Sequence, residues 1–206
     1  SMPPEDYPSS KGEEPEDDPV STEPVEEGGH LDAKIEEAFG GFVGNADVVE
    51  RLKIFISHAI QQEPPHLKHN LLFTGKASTG KTEITRRISR AMGIPLVPLD
   101  GTQVKDREYL FQMIRDKCDQ EGLKVSQIDR DGQKPVNRYP AVLVFIDEVH
   151  LLKKPVQESL LTMLEGDDQR VSLDAEVATV ENITFMFATT RPTKLDRPMK
   201  SRTTEV

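Results

Sequence analysis

Apolar positions recur along this chain in two rhythms, one helical and one extended. Over 46–61, Val48, Leu52, Phe55, Ile56, Ala59 and Ile60 repeat at the spacing of a helix with one buried face, and Pro64-Pro65 stops it. The same spacing predicts helices over 81–92, closed by Gly93, and over 109–117. A helix over 155–165 carries proline in its first turn, and a short one over 31–39 ends at Gly40-Gly41. Between the helices lie short apolar runs at 70–74, 96–99, 141–147 and 183–188, each read as a strand. The run 141–147 is the most continuous, which predicts a central parallel strand buried on both faces. Strands alternating with helices predict an α/β fold, a parallel sheet with helices on both faces.

Two segments break the rhythm. Residues 119–139 are polar and punctuated by Gly122, Gly132 and Pro135, which predicts a surface insertion. Residues 170–180 alternate loosely and suit a hairpin. No internal repeat stands out.

Charge divides the chain into two domains. Residues 1–30 hold ten carboxylates and one cation, Lys11, so they carry −9 of the formal −10. With almost nothing to bury, this stretch is expected to be a disordered acidic tail. The other 176 residues hold 25 Lys+Arg against 26 Asp+Glu, a net of −1. A nearly neutral body of 31–206 gives no general attraction to nucleic acid, so any such contact must be local. The single cysteine, Cys118, cannot form a disulfide within the chain, and no cysteine cluster suggests zinc. That suits a reducing, cytoplasmic setting. The apolar run 141–146 is far too short for a bilayer, and the acidic start is no signal peptide, so no membrane partner is expected.

The chemistry gathers at strand ends. Gly75-Lys76-Ala77-Ser78-Thr79-Gly80-Lys81-Thr82 matches the phosphate-loop pattern G-x-x-x-x-G-K-[ST] at every fixed position. Glycines let the backbone turn its N–H groups toward phosphate oxygens, and the helix that follows adds the positive end of its dipole. Lys81 then reaches the β- and γ-phosphates and the Thr82 hydroxyl meets Mg²⁺, with Glu83 next in the same turn. The loop stands between a predicted strand and a predicted helix, the context the pattern requires.

A second string, Val142-Leu143-Val144-Phe145-Ile146-Asp147-Glu148, delivers two acids to the carboxyl end of a strand, where ligands sit in such sheets. Asp147 is read as the Mg²⁺ holder and Glu148 as the base that activates water. An ordinary strand followed by surface acids has the same string. Its place after a phosphate loop favours the catalytic reading. Thr189-Thr190 ends the last strand, and Thr190 would face the γ-phosphate only if that strand lay between the other two. As a plain β-former, threonine needs no such role.

Together these strings resemble the AAA+ ATPases and, within them, the RuvB-type branch-migration motors. The residues that carry the likeness are Phe42-Val43-Gly44, Gly75 to Thr82, Phe145 to His150, Ala188 to Arg191, and Pro198 to Arg202. The resemblance implies a P-loop sheet, ATP or ADP with Mg²⁺, and a homo-oligomeric ring, a hexamer in the full-length protein, acting on DNA. It implies that Phe42 and Val43 line the adenine pocket and that Thr190 senses the γ-phosphate. It further implies that Arg202 is a finger reaching the next subunit's ATP, while His150 takes no role.

Departures are visible. Lys76-Ala77-Ser78-Thr79 replaces the family's Pro-Pro-Gly-Leu, the 119–139 insertion is longer, and the 170–180 hairpin is shorter and more polar. The chain stops at Val206, where a fifth strand should begin, so the helical lid is expected to be missing. Two other functions fit the same strings: a protein-remodelling chaperone of the MoxR or Clp kind, or a scaffold switched by nucleotide. Having both Asp147 and Glu148 argues against the scaffold.

Overall fold

The structure, a computed structural model, describes residues 27–42, 45–75, 80–165 and 169–206. Most of the acidic tail, Val43 and Gly44 of the adenine-pocket string, and 76–79 of the phosphate loop lie outside the described residues. The elements run α1 (Glu27–Phe39), α2 (Ala46–Ile60), β1 (Leu71–Thr74), α3 (Gly80–Met92), β2 (Leu96–Asp100) and α4 (Arg107–Gln120). They continue as β3 (Ser126–Arg130), β4 (Gln133–Arg138), β5 (Val142–Asp147), α5 (Lys154–Leu164), β6 (Arg170–Ser172) and β7 (Val177–Thr179). The chain closes with β8 (Ile183–Thr189), α6 (Arg197–Arg202) and β9 (Thr204–Glu205).

The main sheet has the order β2-β5-β8-β1-β9, with every neighbouring pair parallel. Its two central strands are the most apolar. All of β8 is buried, as is β5 up to Ile146. Alternate residues feed two cores. Val142, Val144, Ile146, Phe185 and Phe187 pack with Leu110, Phe111 and Ile114 of α4 and Val156 and Leu160 of α5. Leu143, Phe145, Met186 and Ala188 pack on the other face with Leu52 and Ile56 of α2 and Ile88 of α3. The sheet therefore has helices on both faces, and β8 lies between β5 and β1 as the phosphate-sensing reading of Thr190 required.

The 119–139 segment is more than a surface insertion. Its first two residues complete α4, and the rest folds into a hairpin turned at Gly132, whose φ is +67°. β4 then pairs in parallel with β7, joining this hairpin to β6–β7 in a second sheet of order β3-β4-β7-β6. Tyr139 is fully buried, edge-on to Phe111 at 5.3 Å between ring centres. The segment lies at the surface as expected, but its pairing was not foreseen, because β4 and β7 meet across about forty residues of chain, a distance local patterning does not reach. Pro135 is tolerated because it sits at a shift in the β3–β4 register between Ile128 and Arg130, where no ladder bond needs its missing N–H. The onset of the fifth strand is present as β9, parallel to β1 through Leu71 and Leu72.

Candidate nucleotide-binding site

Because β5, β8 and β1 are parallel neighbours, their carboxyl ends open at one place. β1 leads into Gly75, whose φ of +128° belongs to a region L side chains rarely enter. The α3 helix begins at Gly80, so its unpaired N–H groups and dipole turn toward the same space. Lys81 is 9% exposed, and its Nζ donates to the carbonyls of Gly75 at 2.8 Å and Thr189 at 3.4 Å. Those bonds tie the end of β1 to the end of β8. Thr82 is half-buried one residue on, in the first turn of α3.

Glu83 and Phe42 belong to a different arrangement. The Glu83 carboxylate is held by Arg87 Nε at 3.0 Å and approached by Arg86 at 3.9 Å. Arg87 also donates to the carbonyls of Ala38 and Gly40 and lies 5.2 Å over the Phe42 ring. Phe42 rests edge-on against Phe39 at 6.3 Å. Together they fasten the segment after α1 to α3. This holds Phe42 against Arg87 of α3 and leaves Glu83 occupied with arginines.

β5 carries the two acids. Asp147 is half-buried and pairs in register with Asp100 of β2. Burial is the main cause pushing its carboxyl above the usual carboxylate range. The Glu148 N–H bond to it acts the other way, and the charges of Glu148 and Asp100 raise it further against Lys81. Glu148 follows with φ 52° and ψ 49°, a left-handed conformation that costs a non-glycine residue roughly 1–2 kcal/mol. Its own N–H donates to Asp147 Oδ1 at 2.9 Å, and its carbonyl accepts from Leu151 N–H at 2.9 Å.

At the side chain, Thr190 donates its hydroxyl to Glu148 Oε2 at 2.9 Å. His150 Nε2 stands 3.4 Å from the same oxygen, and its Nδ1 is 2.7 Å from Thr189 Oγ1. Lys81, Asp147, Glu148 and Thr190 thus form one cluster. Arg202 is not part of it. It lies at the amino end of β9, the opposite end of the sheet, exposed and paired with Glu165 at 2.6 Å.

Sequence reasoning missed Gly101. A Cβ there would fall 2.2 Å from the Glu148 carbonyl oxygen, and the Gly101 N–H donates to the Asp147 carbonyl at 2.8 Å. The edge strand β2 thereby supports the strained residue from behind. The available signal was a glycine directly after a strand, which marks a close backbone approach. His150 was given no role, and nothing in the string announced its two contacts.

Comparison with known proteins bears on the family and the fold. Residues 71–206 match the model of the ATPase family associated with various cellular activities (AAA). The Holliday junction branch migration complex subunit RuvB of Chlamydia felis is 30% identical over 170 residues, covering 78% of this chain and 43% of that protein. Its counterpart from Myxococcus xanthus is 27% identical over 192 residues, covering 90% and 49%. The solved RuvB Holliday junction branch migration motor of Thermotoga maritima superposes with a TM-score of 0.55 at 21% identity, over 80% of this chain and 44% of that one. The chain therefore spans about half the length of the curated relatives it matches. Among the described residues, no helix is long and apolar enough to cross a membrane. With its P-loop sheet and the family match over residues 71–206, the chain belongs to the AAA family and is a nucleotide-binding ATPase domain.

Proposed function

We propose that this chain is the ATP-hydrolysing core of a cytoplasmic ring motor that moves DNA, as its branch-migration relatives are named for doing. One observation carries the ATPase half of this reading: Lys81, Asp147, Glu148 and Thr190 converge where β1, β5 and β8 end. In this reading Lys81 exchanges its two carbonyl partners for phosphate oxygens of ATP or ADP. The backbone of Gly75, Lys76, Ala77, Ser78, Thr79, Gly80 and Lys81 wraps the phosphates, and Phe42 and Val43 border the adenine.

Thr82 and Asp147 are the candidate holders of Mg²⁺. The residues suit that ion. Asp147 is desolvated and, among the described residues, has the charges of Glu148 and Asp100 against that of Lys81, a surplus that a divalent cation offsets. Among the described residues, no group of three or more His, Cys, Asp or Glu could cage a metal alone. Mg²⁺ needs no such cage, since it keeps waters and substrate phosphates as ligands. When bound, it would neutralise charge on the phosphates.

Glu148 is the proposed base. Thr190 occupies Oε2, which leaves Oε1 to accept the proton of attacking water. Thr190 would also sense the γ-phosphate at the end of β8. Arg202 lies far from its own cluster and is exposed, which suits action on a neighbouring subunit's ATP in a hexameric ring. It would have to leave Glu165. A half-exposed pair of that kind is worth at most about 1 kcal/mol, so the release is not a barrier. DNA would be held locally, because the body of the chain is near neutral.

Replacing Lys81 with alanine should abolish ADP and ATP binding in calorimetry, and an unchanged affinity would refute the site. Mixing full-length Lys81→Ala and Arg202→Ala proteins, each inactive alone, should restore part of the turnover if Arg202 works across subunits. Mixed rings as inactive as their components would remove that role. DNA, and not unfolded protein, should stimulate the turnover.

A further inference from the structure

We infer that His150 is a positioning residue for Glu148: it steers which carboxylate oxygen faces the attacking water, and it links that choice to the end of β8. The inference rests on Glu148 being the base, as proposed above.

His150 is well buried, its side chain 4% exposed, yet both ring nitrogens face polar partners at the catalytic end of the sheet. Nδ1 lies 2.7 Å from Thr189 Oγ1, and the same hydroxyl oxygen accepts the Arg191 N–H at 3.0 Å. A hydroxyl has one proton to give and two lone pairs to receive. With one lone pair taken by Arg191 N–H, Thr189 remains able to give its proton to Nδ1. The neutral ring then carries its own proton on Nε2, which stands 3.4 Å from Glu148 Oε2. The other tautomer would set a bare nitrogen lone pair against a carboxylate oxygen, which is repulsive. The carboxylate can only accept, so it selects the Nε2–H form.

A directional chain results. Arg191 N–H points to Thr189, Thr189 O–H to His150, and His150 Nε2–H to Glu148. Thr190 O–H, one residue past the end of β8, reaches the same Oε2 at 2.9 Å. Two donors, Thr190 just after β8 and His150 just after β5, therefore converge on Oε2 and leave Oε1 toward the water. At 3.4 Å the histidine contact is electrostatic and longer than a formed N–H···O bond, so it steers the carboxylate and does not lock it. Thr189 also presents its carbonyl to Lys81 Nζ at 3.4 Å. A shift of the β8 end on nucleotide binding would thus reach Lys81, Thr190 and, through His150, the face of Glu148.

The test compares three substitutions in the full chain. His150→Phe keeps the ring volume and removes both contacts. His150→Gln returns an N–H donor near the Nε2 position. Thr189→Val removes only the hydroxyl. Turnover should fall about tenfold to a hundredfold in His150→Phe, the scale of a misplaced catalytic group, with ADP affinity unchanged. His150→Gln should recover most of that loss. Thr189→Val should share it, and Thr189→Val combined with His150→Phe should be no worse than His150→Phe alone. Full turnover in His150→Phe overturns the inference. So does a loss that tracks reduced ADP affinity or melting temperature and is not recovered by glutamine, because that marks a packing role. A Glu148→Gln control separates the two levels: if it hydrolyses at the parent rate, the base assignment fails and His150 has nothing to position.

Discussion

The two sheets of this molecule are held in place by different balances of apolar and polar contact. The parallel sheet is held by apolar side chains that have no other place to go, since β5 and β8 are buried on both faces with helices covering each. The β3-β4-β7-β6 sheet has strands that are mostly exposed; it sends only Val136, Val171 and Ala178 into the core, and a polar tie to the body is added to them. There, Arg115 of α4 donates to Tyr139 Oη at 3.2 Å and to Glu176 Oε1 at 3.0 Å. Tyr139 and Asn137 both donate to the Glu176 carboxylate as well. One glutamate in the β6–β7 turn thus receives three donors from α4, β4 and the residue after it. Apolar burial is tolerant and spread over many residues. A polar hub is specific and concentrated in one.

The strongest way to probe that contrast lies at the functional end of the parallel sheet. Gly101→Ala would place a methyl group 2.2 Å from the Glu148 carbonyl, and backbone on both sides must move. We expect a destabilisation of about 1–3 kcal/mol. Turnover should drop by about a hundredfold, because Glu148 is displaced while Lys81 is not. Thermal melting and steady-state kinetics read the two effects, and an alanine variant with parental turnover would mean that β2 does not support Glu148.

Glu176→Ala comes next and addresses the polar hub. Removing it takes away the acceptor of the Tyr139 O–H and of the Asn137 amide and one partner of Arg115, a loss of about 1–3 kcal/mol. If the two sheets are held independently, amide exchange should quicken in 133–138 and 170–179 and stay slow in β5 and β8. Equal loosening in both sheets would show that the hub supports the whole fold.

The smallest effect has the opposite sign. Burial and negative neighbours raise the Asp147 pKa. A carboxyl raised on folding costs nothing at low pH, where it is protonated in both states. The cost appears as pH climbs from its ordinary value through the raised one, and it is fully present at neutral pH. Asp147→Asn should therefore melt up to a few degrees higher at pH 7 than the parent, with the gain vanishing in acid. Its Mg²⁺-dependent ATP binding should weaken. A lower melting temperature at pH 7 would mean that the carboxylate stabilises the fold even without the cation.

Local chemistry accounts for what could be read along the chain. The run 141–147 had to be a central strand because seven residues with so little polarity can be satisfied only with both faces covered. The string from Gly75 to Thr82 reads as a phosphate loop because its glycines, lysine and threonine are the groups such a loop uses in that order. The pair Asp147-Glu148 followed from its place at a strand end. These signals lie within a few residues of one another, so sequence by itself determined the fold class, the loop and the two acids.

Only the tertiary structure decided the rest. That β8 lies between β5 and β1 turned Thr190 from a plain β-former into a partner of Glu148. That β4 finds β7 made a hairpin sheet out of a segment that reads as an insertion. Gly101 and His150 acquired their places because residues from β2, β5 and β8, distant along the chain, end at one point in space. Each of these depends on pairings between segments some 40 to 120 residues apart, which no local pattern of polar and apolar residues encodes.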